Sequence, residues 1–324
     1  MPPRQHQAPN TRPPQVVKVV DLLDLKDAAI RYTDLLAKVT NSRQHDIGFM
    51  LYCPMGEGLR LAPEKRADYA KWLQEGAATL ASLYNPDVGL IRSWPWGNHL
   101  VIIDNMMNLE LLEWAAKNGG DAKYHDIAVS HARKTDENHF RADGGTYHVL
   151  DYDPNNGDWV TAVYSKQGAN LVHSSWSRGQ GWAIYGFTMM YRETKDPRFL
   201  VRAMKSADYA IDNPNMPADG VPYWDFGAPG EERDSSAAAV MASGLLELAD
   251  FVGGEKGASY RAFAVKQLAS LASSAYFSEG DEIGHFLLKH GVGHKPAHSE
   301  VDTPLDYGDY YFLEALLRLR DKAR

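Results

Sequence analysis

His173-Ser-Ser-Trp-Ser-Arg-Gly-Gln-Gly-Trp182, running into Ala183-Ile-Tyr-Gly-Phe-Thr-Met-Met190, is the stretch from which the fold can be read. Two tryptophans, an arginine, a glutamine and two glycines fall within ten residues. Residues 183–190 have helical character and no charge. A helix that is apolar all round has to be buried. The same order, a polar tip and then an apolar helix with small residues, recurs at Asp104-Asn-Met-Met-Asn-Leu109, Arg233-Asp-Ser-Ser-Ala-Ala-Ala239 and Asp306-Tyr-Gly-Asp-Tyr-Tyr-Phe312. His45-Asp-Ile-Gly-Phe-Met50 is a shorter version. Several such helices imply an inner ring that presents its polar tips at one end of an all-α barrel.

The intervening segments complete the pattern. Residues 21–40, 63–84, 121–138, 197–213 and 257–277 have the amphipathic spacing of outer helices. They alternate with inner candidates at 46–55, 104–117, 180–194, 234–252 and 307–320. Strand signals are few, and 145–152 and 221–226 read as short hairpin pieces. Residues 1–15 hold five of the 17 prolines, so 1–20 reads as a disordered lead-in and 21–324 as a single domain.

Composition narrows the function. The 324 residues are 44% hydrophobic and 23% charged, as in a soluble globular protein. A net charge of −8 argues against a nucleic-acid partner. No apolar run approaches the ~20 residues of a membrane span. The lone Cys53 excludes an internal disulfide framework. The start of the chain lacks a signal-peptide apolar region, which favours the cytoplasm.

Asp104 and Asp46 each stand at the start of an inner helix. Each reads either as a helix cap or as a carboxyl at the floor of a cleft. In the second case the apolar surround of Asp104 is expected to raise its pKa, and two carboxyls facing one cavity divide acid and base roles. Arg178, set between Trp176 and Trp182, reads either as an anion holder in a sugar-stacking site or as the partner of a structural aspartate. Asp234 and Asp309 read as structural. His148 and Gln167 precede the central stretch and are ordinary loop residues when taken alone. Asp151-Tyr-Asp-Pro-Asn-Asn-Gly-Asp158 misplaces the glycine of a calcium loop and reads as a turn. His290, His294 and His298 have helical metal spacing, but Gly291, Gly293 and Pro296 deny them a helix.

Taken together, the strings resemble the unsaturated glucuronyl hydrolases of glycoside hydrolase family 88. The residues that carry the resemblance are His45-Asp-Ile-Gly-Phe49, Ile103-Asp-Asn-Met-Met-Asn-Leu109, Thr146-Tyr-His148, Tyr152-Asp-Pro154 with Gly157, Gln167-Gly168, Trp176-Ser-Arg-Gly-Gln-Gly-Trp182, Tyr223-Trp-Asp-Phe226, Arg233-Asp-Ser-Ser236 and Gly308-Asp-Tyr-Tyr311. They cover about residues 25–320. The resemblance implies an (α/α)6 barrel of helical hairpins and a reaction without metal or cofactor. The implied substrates are oligosaccharides ending in a 4,5-unsaturated uronate. It places Asp104 on the general acid/base and Asp46 on the second catalytic aspartate. His45, Trp94, His148, Gln167, Trp176, Arg178 and Trp182 fall on substrate-binding positions. Related hydrolases of rhamnogalacturonan or ulvan fragments, and a non-catalytic carbohydrate-binding form, are the alternatives. The first hairpin of the family has no counterpart in the sequence, so five inner helices are expected where the ring has six. The helices at 46–55 and 307–320 are then expected to lack a shared neighbour.

Overall fold

The computed structural model describes residues 19–162, 167–169, 174–280 and 282–322. Most of the expected lead-in, and His173 of the opening stretch, lie outside the described residues. Among these residues the helices are α1 (Val19–Leu35), α2 (Ile47–Leu61), α3 (Arg66–Ala81), α4 (Asn105–Lys117), α5 (Lys123–Asn138), α6 (Ser177–Thr194), α7 (Pro197–Ile211), α8 (Ser235–Val252), α9 (Gly254–Leu271) and α10 (Asp306–Lys322). Even-numbered helices line the inside and odd-numbered ones cover them. α2/α3, α4/α5, α6/α7 and α8/α9 pack as pairs, and α10 packs on α8.

Burial explains this sorting. Every residue of α6 from Ser177 to Met190 is buried, and α8 is buried almost throughout from Ser235 to Ala249. α7, by contrast, buries only Phe199, Ala203, Ser206, Ala207 and Ala210, a single helical face. α8 is long and apolar enough to cross a membrane, and 78% of it is buried inside the fold. The inner helices meet through small residues. A Cβ at Gly186 would come within 2.6 Å of the Met106 side chain, and one at Gly244 would lie 3.0 Å from the Tyr185 backbone.

Two local expectations change. α2 continues through Pro54, Gly56 and Gly58 to Leu61, past the end expected near residue 55. A Cβ at Gly58 would lie 2.4 Å from the Tyr69 ring of α3, so packing against α3 accounts for the extension over poor helix formers. Residues 221–226 form no strand and make only isolated bridges, Trp176 to Asp225 and Tyr223 to Arg233.

The strands are short. β1 (Tyr84–Asn85) pairs with β2 (Leu90–Ile91). β3 (His99–Ile102), β4 (Val149–Tyr152) and β5 (Trp159–Ala162) form an antiparallel sheet in that order. β4 falls inside the expected 145–152 segment, and residues 153–158 form the turn into β5. β6 (Gly291–His294) and β7 (Ser299–Thr303) form a hairpin just before α10. α2 and α10 face each other across two cavities. On α10, Leu313, Leu316 and Leu317 remain 49%, 37% and 37% exposed, an apolar stripe without cover among the described residues.

Candidate active site

The five inner helices all begin at the same end of the ring, and a cleft of about 620 Å³ opens there. It collects all nine residues singled out from the sequence: His45, Asp46, Trp94, Asp104, His148, Gln167, Trp176, Arg178 and Trp182. Phe49, Cys53, His294, Asp306, Tyr307, Tyr310 and Tyr311 also line it. The aromatic rings form a nearly continuous wall. Trp94 meets His45 and His148 edge-on at 5.8 and 6.3 Å, and His148 meets Trp176 at 5.0 Å. On the other side Trp182 contacts Phe49 at 5.2 Å and Tyr311 at 5.5 Å. The indole N–H groups of Trp176 and Trp182 are buried and have no partner among the described residues, so both can donate to a polar ligand.

The two aspartates occupy the N-cap positions of α2 and α4, yet neither side chain makes a capping hydrogen bond. Asp234 and Asp196 show what capping looks like here. Asp234 accepts from Ser236 N and Ala237 N, and Asp196 accepts from Arg198 N. Asp46 and Asp104 therefore stand where a cap belongs while their carboxylates turn to other partners. His148 Nε2 is 3.4 Å from Asp104 Oδ2, and His45 Nε2 is 3.3 Å from Asp46 Oδ1.

Their environments push the two carboxyls apart. Burial raises Asp104, but the hydrogen bond and charge of His148 and the charge of Arg178 outweigh it, and the net direction is down. This corrects the expectation of a raised Asp104, which weighed the apolar flanks without His148 and Arg178. Asp46 moves up: burial raises it most, His45 lowers it, and the nearby Asp104 charge raises it again. Two interacting carboxyls with opposite shifts are the arrangement from which acid and base roles are built.

Arg178 has the aspartate partner of its second reading, Asp234, and also stands in the cleft wall. Its guanidinium donates to Asp234 Oδ2 at 2.7 Å, Ser236 Oγ at 3.2 Å, Val292 O at 2.5 Å and Gly293 O at 2.8 Å. It stacks on Trp176 at 4.5 Å and on Tyr307 at 5.1 Å, rather than between the two indoles. Gln167 donates to Gly293 O at 2.7 Å. The β6–β7 hairpin is thus tied to the cleft through its first residues, and it brings His294 to the rim. Sequence reasoning considered His294 only as a metal ligand. The Gly-His-rich run carries no strand signal, so nothing placed it here. Asp309 has the structural role expected, accepting from the backbone of Leu287 and Leu288.

Asp46 is positioned by a close helix approach. Asn108 Oδ1 accepts from Phe49 N at 2.9 Å, and a Cβ on Gly48 would fall 2.6 Å from Asn108 Cα. Backbone cannot yield as a flexible side chain can. Gly48→Ala is therefore expected to push α2 off α4, at a cost of about 1–3 kcal/mol. Urea denaturation should show this loss, together with reduced turnover as Asp46 moves. A wild-type denaturation midpoint in the variant would show that the contact has slack.

No family model matches the chain. Curated relatives do. An unsaturated glucuronyl hydrolase of Formosa agariphila is 45% identical over 285 residues, 86% of this chain and 70% of that protein. One from Bacillus sp. strain GL1 is 33% identical over 307 residues, 91% of this chain and 80% of the relative. An unsaturated chondroitin disaccharide hydrolase of Streptococcus pyogenes is 35% identical over 303 residues, covering 89% and 73%. Among solved structures, an unsaturated glucuronyl hydrolase described as specific for heparin superposes with a TM-score of 0.87 at 42% identity, over 92% of this chain and 81% of that one.

Proposed function

The chain belongs to the unsaturated glucuronyl hydrolase family, and on that premise we propose that its cleft acts on oligosaccharides ending in a 4,5-unsaturated glucuronate, of the kind derived from glycosaminoglycans. The reaction hydrates the C4=C5 double bond. That bond is an enol ether, so protonation at C4 leaves an oxocarbenium-like centre at C5. Water adds at C5 and loses a proton. The resulting hemiketal opens to a ketone, and the hemiacetal left at C1 releases the next sugar. The bond is lost without displacement at C1, unlike the reaction of ordinary paired-carboxyl glycosidases.

Asp104 is assigned the proton-cycling role, giving a proton to C4 and recovering one from water. In the free protein its carboxyl is held low, but a bound uronate adds negative charge beside it and screens Arg178. Both effects raise it. Asp46, already raised, is the second carboxyl that keeps one proton on the pair. The aromatic wall stacks sugar faces, and His45, His148, Gln167 and the indole N–H groups serve their hydroxyls and carboxylate. The observation that carries this reading is the pair of carboxylates at N-cap positions that cap nothing and face one aromatic cleft.

The test is incubation with unsaturated disaccharides from chondroitin, heparin and gellan, following loss of the conjugated ultraviolet band. Absence of turnover on all three would defeat the proposal, and turnover would remove a binding-only role.

The opposite shifts also fix a pH signature. As pH rises, the first proton leaves the pair mainly from Asp104 and the second mainly from Asp46. With one proton required, kcat/KM is expected to be bell-shaped with a mildly acidic maximum, its acid limb set by the lowered group and its alkaline limb by the raised one. Asp46→Asn removes the raised group, so the alkaline limb should move to lower pH. An unmoved limb in that variant would place the second proton elsewhere.

A further inference from the structure

Helix α2 begins with an N-cap residue that does not cap. An N-cap side chain normally accepts from the second or third amide of its helix, but Asp46 makes no such bond. The third amide, Phe49 N, donates instead to Asn108 Oδ1 of α4 at 2.9 Å. Asn108 stands one turn beyond Asp104, so the helix that follows the first carboxyl also closes the start of the helix that follows the second. The reach is possible because residue 48 is glycine: a Cβ there would fall 2.6 Å from both Asn108 Cα and Asn108 Oδ1. Asn108 is 1% exposed and is not among the described residues that line the cleft. Its Nδ2 is buried without a hydrogen-bond partner among the described residues, yet the amide lies near enough to Asp46 to hold that carboxyl below the level that burial alone would set.

We infer that Asn108 is a positioning residue for the hydration reaction: it caps α2 from the neighbouring helix and so leaves the Asp46 carboxylate free to face the cleft. The inference rests on the reaction proposed above. A helix start without an acceptor favours an anion, because its first-turn amides and its dipole both attract one. Asp46, at the N-cap, holds the carboxylate that would answer. Such a turn would take it from the cleft and keep it ionised. Asn108 prevents this with a neutral oxygen, and so adds no third negative charge beside the pair.

The experiment compares Asn108→Leu, which deletes acceptor and amide at similar volume, with Asn108→Asp, which keeps an acceptor for Phe49 N but exchanges the amide for a carboxyl. The other titratable groups around Asp46 are His45 beside it, Asp104 at the start of α4, Cys53 on α2, and Asp306, Tyr307 and Tyr310 on α10. Both variants leave these in place. Carboxyl carbon-13 NMR, with the Asp46 resonance identified by its loss in Asp46→Asn, follows the titration in the free protein and needs no turnover. Asn108→Leu is expected to move the Asp46 titration to lower pH, and Asn108→Asp to higher pH. The alkaline limb of kcat/KM should follow in each case. In Asn108→Leu kcat should also fall about tenfold or more, with little change in KM, because the side chain lies outside the cleft lining. A titration that stays put or rises in Asn108→Leu overturns the positioning role, as does one that stays put or falls in Asn108→Asp, so the second variant still decides where the first does not fold. Opposite shifts of Asp46 in a protein that turns over no unsaturated disaccharide would retain the role of Asn108 at the helix start and overturn the reaction instead.

Discussion

Asp104→Asn is expected to lower turnover by about 10²–10⁴-fold, the usual contribution of a general acid–base group, while leaving the fold intact. The separation of the two effects comes from the helix start. Because Asp104 makes no capping bond, the amide forfeits no cap. It keeps the shape of the carboxylate beside His148, but loses the ability to take and give a proton and the charge that His148 and Arg178 favour. Ultraviolet turnover assays beside a thermal melt distinguish this from a folding defect. A variant that keeps a third of wild-type activity would remove Asp104 from the mechanism. One that melts well below wild type would mean the carboxylate is structural.

Arg178→Met is expected to be the most destabilising change at the site. Arg178 and Asp234 are both buried, with side chains 4% and 0% exposed, and are 2.7 Å apart. Deleting the cation leaves the aspartate charged in a dry interior, a loss of about 3–5 kcal/mol. It also removes the guanidinium donor from Val292 O and leaves Gly293 O with Gln167 alone, loosening β6 on the ring. Arg178→Lys keeps a charge but cannot reach Asp234, Ser236 and two carbonyls from one ammonium. It should lose about 1–3 kcal/mol and also depress kcat/KM, since the cleft wall at His294 and Gln167 hangs on the same carbonyls. Chemical denaturation measures the first effect and kinetics the second. If Lys matched wild type in both, the guanidinium fork would be dispensable.

Helix order was legible because burial leaves a direct mark. A helix such as 234–252, with Ala237-Ala-Ala239 and only two charged residues after its cap, has nowhere to sit but inside. Eight of the nine residues that meet in the cleft were legible because they stand in strings shared with the family, most of them at or just before inner helix starts; Trp94 came only as a position the resemblance implies. What pairs at long range was not. Val292 and Gly293 lie more than a hundred residues from Arg178, in a run with no apolar alternation, so neither the hairpin nor the true partners of the guanidinium followed from local pattern. The direction of the Asp104 shift failed for the same reason. Its flanks Ile102, Ile103 and Met106 are adjacent in sequence and visible, while His148 and Arg178 arrive through the fold. Residues 221–226 misled in the opposite sense: their aromatic and apolar residues suited a strand, but the segment serves as a bridge between α6 and the start of α8.

The common starting end of the five inner helices has a consequence for what the cleft attracts. Peptide dipoles add along a helix, so each inner N-terminus carries roughly half an elementary positive charge. Four of these ends, those of α2, α4, α6 and α10, line one opening. At two of them the N-cap side chains, Asp46 and Asp104, make no bond to the first-turn amides, although Asn108 Oδ1 accepts from Phe49 N in α2. Arg178, the one guanidinium lining the cleft among its described residues, is neutralised by Asp234, so the backbone itself supplies much of the attraction for an anionic sugar. An affinity built from peptide groups belongs to the architecture of the ring. It persists when surface charges drift, and it lets a protein with an excess of acidic residues draw in a carboxylate.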